Sequence, residues 1–119
     1  MASLDEVARA ALARDALAVR SLVQDLLRER PSISDWEAPH DVSDPGLLAL
    51  AAALAELLAD RCGQAAPPWT AKVGPLPEPF FLLRSAETMK NLRMQCEAES
   101  PPPLRKRRLY APANFLEFA

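Results

Sequence analysis

The only histidine of the chain, His40, lies among carboxylates in the sequence, and this is the combination closest to an acid–base site. A histidine oriented by a carboxylate can act as a general base. Its acidic neighbours in the sequence are Asp35, Glu37, Asp41 and Asp44. The same stretch also suits a solvated acidic loop, and no serine or cysteine has the sequence context of a nucleophile. A small enzyme around His40 is therefore one alternative, whereas the sequence favours a protein without its own active site.

The residue spacing matches no standard site for a metal ion or a nucleotide. His40, Asp41 and Asp44 fit no usual ligand set for zinc or calcium. The two cysteines, Cys62 and Cys96, are too few and too far apart for a disulfide framework, so we expect two free thiols. Phosphate-binding loops need clustered glycines, and the three glycines of this chain are isolated. The sequence therefore predicts no metal and no cofactor.

Four consecutive basic residues form the strongest charge cluster of the chain: Arg105, Lys106, Arg107 and Arg108. They could neutralise nucleic-acid phosphates, pair with an acidic partner protein, or pair with the acidic part of this chain. Residues 1–44 carry nine acids and five bases, whereas residues 85–119 carry four acids and six bases. The segment 85–99 has two bases against three acids, which is unfavourable for a helix that reads a DNA groove. Nucleic-acid binding is therefore an alternative rather than the favoured function.

Two tryptophans, Trp36 and Trp69, lie outside the predicted long helices. Each could cover an open end of a core made mostly of alanine and leucine. Each could instead anchor an interface, since tryptophan and arginine are frequent hot-spot residues. The candidate partner-binding residues are accordingly Trp36, Trp69, Arg105, Lys106, Arg107 and Arg108.

A first helix is predicted over residues 3–29 to carry part of the core. Ser3 and Glu6 have the spacing of a capping box at its start. Apolar residues then recur every three or four positions, which is typical of a helix with one buried face. Pro31 ends the pattern.

A second helix is predicted over residues 45–62, between Asp44-Pro45, a typical start, and Gly63, a typical end. Its interior is apolar nearly all round, with Glu56 as its one charge between positions 47 and 58. A helix of this kind is central to a domain or is buried in an oligomer. We therefore expect it to be the most buried element, and we expect the small chain to form a two-fold dimer.

The rest of the chain is predicted to contain a third helix, loops and short strands. The predicted segments are a loop over 31–44, strands over 69–73, 79–83 and 107–110, and a helix over 85–99 capped by Ser85. The first two strands could pair through a turn at 74–78. The seam of the third helix would bury Met89, Leu92 and Cys96. The fold class is thus mainly α, a three-helix core with a small β or extended element closing one end of a single domain, residues 1–119.

The segment 101–119 is unusual because it combines prolines, basic residues and aromatics. Its aromatic residues, Tyr110, Phe115 and Phe118, argue against a free tail, since disordered segments are poor in aromatics. We therefore expect this segment to pack on the domain or on a partner. The stretch from Glu99 to Arg108, followed by Asn114-Phe115-Leu116, resembles the ends of short uncharacterised bacterial proteins, some of them encoded beside a second gene as toxin–antitoxin pairs are. The resemblance implies a partner protein and assigns no residue roles.

The amino-terminal residues lack the basic and apolar regions of a signal peptide, and no run reaches the eighteen apolar residues of a membrane span. The sequence therefore predicts a cytoplasmic protein without a membrane partner, and its alanine, leucine and arginine bias favours a bacterial source. The favoured function is a non-catalytic interaction protein, either a homo-oligomer or an accessory subunit of a two-protein system. The alternatives are a nucleic-acid-binding factor and a small enzyme around His40.

Overall fold

The computed structural model describes residues 3–39, 44–83, 86, 88–113 and 115, which form a mainly helical domain with one small sheet. The helices are α1 (Leu4–Leu12), α2 (Ala16–Glu29), α3 (Pro45–Arg61), α4 (Lys90–Glu99) and α5 (Pro102–Arg105), and the strands are β1 (Phe80–Phe81) and β2 (Leu109–Tyr110). Short 3₁₀ helices span Ile33–Asp35 and Pro68–Lys72. The predicted fold class, mainly α with a small β element, is confirmed.

The centre of the domain is α3, the second helix of the sequence prediction. Its start is capped as predicted, because the Asp44 side chain accepts hydrogen bonds from the backbone N–H groups of Gly46 and Leu47. Eleven of its seventeen residues are buried. The helix is covered by α1, α5 and the two 3₁₀ segments, all from the same chain. The prediction that this helix is the most buried element is therefore confirmed, and its apolar faces need no second copy to cover them.

The predicted single helix over residues 3–29 is wrong, because the chain breaks between α1 and α2. Ser3 caps α1 as predicted, with its Oγ accepting from the Glu6 N–H at 3.2 Å. At the break, Arg14 adopts a left-handed backbone with φ of 57°, and the Asp15 side chain caps α2. The break lets α2 fold back against α1. The cap at Asp15 satisfies an N–H that a new helix start would otherwise leave unpaired.

The small sheet joins two segments that are distant in the sequence. Strands β1 and β2 are parallel, with Phe80 opposite Leu109 and Phe81 opposite Tyr110. The predicted strands over 79–83 and 107–110 are therefore present in shorter form. The predicted strand over 69–73 is wrong, and with it the proposed turn at 74–78. Consecutive prolines begin a 3₁₀ helix there instead, and the Thr70 hydroxyl donates to the Pro67 carbonyl at 2.9 Å.

The third predicted helix starts later than expected, since α4 begins at Lys90 rather than at residue 85. The predicted cap, Ser85, lies outside the described residues. Of the predicted seam, Cys96 is buried and Leu92 is half-buried, but Met89 is exposed. The buried face of this helix was thus predicted to begin too early in the sequence. Helix α4 has Cys96 as its one buried residue and lies at the edge of the domain.

The segment after α4 returns to the core. Leu104, Leu109 and Ala111 are fully buried, and Phe115 packs against the same core cluster. The sequence also predicts a last helical turn over residues 114–118, and this segment falls mostly outside the described residues. Within the described part of the chain, none of the helices combines the length and the apolar character needed to cross a membrane.

Candidate interaction surface

Two of the four residues of the basic cluster bind one carboxylate, that of Glu56 on α3. Arg107 binds it with both terminal nitrogens, Nη1 to Oε1 at 2.6 Å and Nη2 to Oε2 at 3.1 Å. Lys106 adds a third contact, with its Nζ 2.9 Å from Oε1. A two-pronged arginine–carboxylate pair is among the stronger and more directional polar contacts in proteins. The cluster therefore fastens the chain after α5 onto the central helix.

Arg107 is inside the domain, with 2 % of its side chain exposed. Its guanidinium also donates to the carbonyls of Thr70, at 2.8 Å, and Pro103, at 3.1 Å. Burial alone would raise the pKa of Glu56, but the hydrogen bonds from Arg107 and Lys106 and the charge of Arg107 lower that pKa to about 2. Glu56 is therefore ionised at neutral pH. A partner cannot reach the Arg107 guanidinium while the domain is folded.

The two other arginines of the cluster are exposed and are attached to backbone carbonyls. Arg105 donates to the Ala98 carbonyl at 2.8 Å, and Arg108 donates to the Pro77 carbonyl at 2.7 Å. Both side chains keep donors that face solvent, because each of these bonds uses one of the five N–H groups of a guanidinium. For Arg105, Lys106 and Arg108, partner binding remains a prediction.

The two tryptophans form one connected unit. The Trp36 indole is buried and donates to the Arg30 carbonyl at 2.9 Å. The half-buried Trp69 indole donates to the Trp36 carbonyl at 2.8 Å. Nearby, Gln64 holds the same loop through the Ile33 N–H and the Pro31 carbonyl, both at 2.9 Å. The tryptophans thus order the loop after α2, and of the two, Trp69 keeps surface that a partner could contact.

The acid–base hypothesis depends on His40 and its acidic neighbours in the sequence. His40 and Asp41 lie outside the described residues, and Asp44 is engaged as the cap of α3. In the part of the chain that the structure describes, no group of three or more histidines, cysteines or acids could hold a metal ion. Cys62 is exposed, whereas burial, aided by the charges of Glu99 and Glu97, raises the pKa of the Cys96 thiol. Cys96 therefore stays protonated at neutral pH.

A surface that sequence reasoning missed surrounds the small sheet. Phe80, Phe81 and Tyr110 are half-buried, and the Phe81 and Tyr110 rings pair in a tilted arrangement, with centroids 5.4 Å apart and planes inclined by 35°. The Arg14 guanidinium lies 4.8 Å from the Phe80 ring centroid, and that of Arg93 lies 5.5 Å from the Phe81 ring centroid. Phe81 and Tyr110 lie on one side of the sheet, whereas Phe80 lies on the other side and packs against the core, with Arg14 at the free edge of β1. We call the surface that these five residues form around the sheet the arginine–aromatic face. Its residues come from the break after α1, from both strands and from α4. Because these segments are distant in the sequence, no local sequence pattern could have revealed this surface.

Two exposed apolar side chains lie within a few residues of the arginines of the arginine–aromatic face. Leu17, three residues after Arg14, is 82 % exposed. Met89 is 56 % exposed, and its carbonyl accepts from the Arg93 N–H, which places it one helical turn from that arginine. Aromatic residues, methionine and arginine are the types enriched in protein interfaces. The face and these two side chains therefore have the composition of a binding surface.

Side chains occupy the outer edges of the sheet beneath this face. The Arg14 Nε donates to the Phe81 carbonyl at 2.9 Å, on the edge away from β2. The buried Ser100 hydroxyl donates to the Leu109 carbonyl at 2.9 Å, on the edge away from β1. Exposed strand edges attract further strands, and blocking them prevents this. A partner would consequently contact the side chains of the face rather than extend the sheet.

Comparison with known proteins provides no further constraint. No family model matches the chain, no curated protein matches it significantly, and no solved structure does so either.

Proposed function

We propose that this protein is a non-catalytic interaction protein, an accessory subunit that docks onto another protein through the arginine–aromatic face. The observation that carries this proposal is the half-buried, tilted Phe81–Tyr110 ring pair, together with the exposed side chains of Leu17 and Met89, which lie close in the sequence to Arg14 and Arg93. Large apolar groups on a surface cost free energy in water, and this cost is recovered when a partner covers them. Arg14 and Arg93 add polar groups of the kind found beside such anchors.

The alternative functions have weaker support. Nucleic-acid binding by the basic cluster would have to proceed without the Arg107 guanidinium, which Glu56 occupies. The faces of Phe80 and Phe81 each carry an arginine, so they offer less room for stacking a base. The carboxyl end resembles that of short bacterial proteins, some of them encoded beside a second gene, and the product of an adjacent gene is accordingly the first partner to test.

A two-fold dimer remains a second form of the same proposal. The apolar character of the second helix suggested a dimer, but other elements of the same chain cover that helix. A dimer would therefore have to form through a surface such as the arginine–aromatic face. Measuring the mass of the purified chain by light scattering distinguishes a dimer from an accessory subunit that is monomeric alone.

The proposal is tested by placing charges beside the face. The variant Leu17→Lys with Met89→Lys changes two exposed side chains, so the fold should be retained. Its matched control, Gln24→Lys with Gln95→Lys, adds the same charge at exposed positions of α2 and α4. We expect the wild type and the control to co-purify with the same partner at constant stoichiometry from the native cell after nuclease treatment, and the face variant to elute alone.

Two outcomes would overturn the proposal. One is a wild-type protein that is monomeric and unaccompanied when purified natively. The other is a face variant that keeps its partner while the circular dichroism spectra of all three proteins agree. Loss of the partner on nuclease treatment would instead favour nucleic-acid binding.

A further inference from the structure

A second surface, away from the arginine–aromatic face, is a cleft of about 220 Å³ between the start of α1, the end of α2 and the loop after Trp36. Its apolar wall includes Leu4, Leu26 and Trp36, all of them buried residues of the core. The Trp36 ring is held in place by its bond to the Arg30 carbonyl. The apolar wall is therefore preformed, which lowers the ordering cost of binding.

Two opposite charges line the same cleft, those of Arg30 and Glu37. Both residues are exposed, and neither side chain makes a hydrogen bond or an ion pair with any residue that the structure describes. A third charged residue of the lining, Asp5, is already paired with Arg9 at 3.1 Å. Among the described residues, Arg30 and Glu37 therefore have no partner that a ligand with one negative and one positive group would have to displace.

The size of the cleft limits this ligand. Sites for drug-sized molecules are usually about 300–1,000 Å³, so this cleft is small. At roughly 30 Å³ per water molecule, it corresponds to about seven waters. A ligand of a single amino acid's size is appropriate, and an apolar side chain would fit the wall formed by Leu26 and Trp36.

We propose that this cleft binds an apolar α-amino acid, with its carboxylate at Arg30, its ammonium group at Glu37 and its side chain against Leu26 and Trp36. The inference goes beyond protein docking, because it assigns a small-molecule site. Free amino acids and the ends of protein chains share part of this chemistry. A free amino acid carries both charges at one carbon, whereas a chain end carries one of them.

The test uses ¹⁵N-labelled protein and follows the amide signals of the lining residues and the Trp36 indole signal during titration with L-leucine. Four analogues dissect the recognition: glycine, N-acetyl-L-leucine, L-leucinamide and N-acetyl-L-leucinamide. We expect saturable shifts with L-leucine, and binding about tenfold or more weaker for each analogue, since each loses a charged contact or the apolar side chain.

Variants confirm the site independently. Arg30→Gln and Glu37→Gln should each weaken L-leucine binding by about tenfold or more. The control variants Arg28→Gln and Glu29→Gln remove the same charges at exposed neighbouring positions outside the lining and should leave binding unchanged.

Three results would overturn this inference. The first is the absence of saturable shifts with L-leucine up to its solubility limit. The second is equal binding of glycine or of doubly capped leucine, which would show that the wall or the charges play no part. The third is equal binding of a singly capped leucine, which would assign the cleft to the end of a protein chain.

Discussion

Glu56 illustrates how a single residue can organise the rest of the chain. It is the one charge within an otherwise apolar stretch of α3, and its side chain is only 13 % exposed. A carboxylate in that position is costly unless it is paired and hydrogen-bonded. Arg107 supplies both requirements, at a sequence distance of 51 residues. The Glu56 carboxylate in the central helix thus determines where the carboxyl-terminal segment attaches.

Removing the Arg107 side chain should therefore lower the stability of the domain far more than removing an exposed basic residue of the same run. We expect Arg107→Met to lower the free energy of unfolding by about 3–5 kcal/mol, because Glu56 would keep its burial and lose its main partner. Lys106→Ala is the matched control, and its exposed contact with the same carboxylate should contribute about 1 kcal/mol or less. Urea unfolding measures both. Equal losses for the two variants would contradict the structural role assigned to Arg107.

The same pair predicts how stability depends on pH. The pKa of Glu56 is about 2 in the folded protein against 4.5 as its ordinary value. The folded state therefore binds this proton more weakly than the unfolded state, so the stabilisation is complete above about pH 4.5 and is lost as pH falls towards 2. Its full size is about 3 kcal/mol. Comparing urea unfolding of the wild type and Glu56→Gln from pH 7 to pH 2 should show a difference that shrinks in that interval. A constant difference would contradict the prediction.

At the scale of elements, the break between α1 and α2 has the largest effect on the arginine–aromatic face. The left-handed backbone of Arg14 costs free energy for any residue with a Cβ atom. The hydrogen bond from its Nε to the Phe81 carbonyl and its contact with the Phe80 ring offset this cost. One residue thus turns the chain, blocks the edge of β1 and forms part of the proposed binding surface.

Two substitutions separate the strain at Arg14 from its contacts. Arg14→Ala loses the contacts and keeps the strain, whereas Arg14→Gly loses the same contacts and removes the strain. We expect the alanine variant to be the less stable of the two by about 1 kcal/mol, and both to be less stable than the wild type. Arg28 is an exposed position within α2. At this position the alanine variant should instead be more stable than the glycine variant by a similar amount. Thermal unfolding of the four variants checks this inversion, and its absence would show that the break is not strained.

The sequence predicted those elements whose signals are local. Helix α3 was predicted nearly to the residue, because Asp44, Pro45 and Gly63 mark its ends. The break at Arg14 was missed, because no glycine or proline marks it. A small element formed from residues 69–83 and 107–110 was predicted, but the direct pairing of β1 with β2 was not, since it joins residues 29 positions apart. The proposed binding face depends on both features, so it could not be predicted from local patterns.

The burial of Arg107 had a weak signal that was present in the sequence. A basic run does not by itself show which of its members turns inward, and all four residues were candidates for partner binding. A lone acid in an apolar helix, however, requires a basic partner from elsewhere in the chain. Glu56 therefore indicated that one base would be buried, although it did not indicate which one.

At the scale of the whole molecule, one continuous core extends from α1 to the segment after β2. Leu109 and Ala111 belong to the same buried cluster as Leu4 and Val7. The apolar helix that suggested an oligomer is enclosed by its own chain, and Leu54 at its middle is fully buried. Leu54→Asp should consequently unfold the domain rather than release a monomer. The proposed partner binding is therefore separate from folding.

This separation predicts that thermal stability does not depend on protein concentration. For an obligate dimer, a hundredfold dilution removes about 2.7 kcal/mol of stabilisation and lowers the Tm by several degrees. Because the core closes within one chain, we expect the Tm of the purified protein to stay constant over that range, measured by scanning calorimetry and intrinsic fluorescence. The variant Leu17→Lys with Met89→Lys should have nearly the same Tm as the wild type, because both side chains are exposed. A Tm that rises with concentration in the wild type but not in this variant would show that a second copy on the arginine–aromatic face is required for folding.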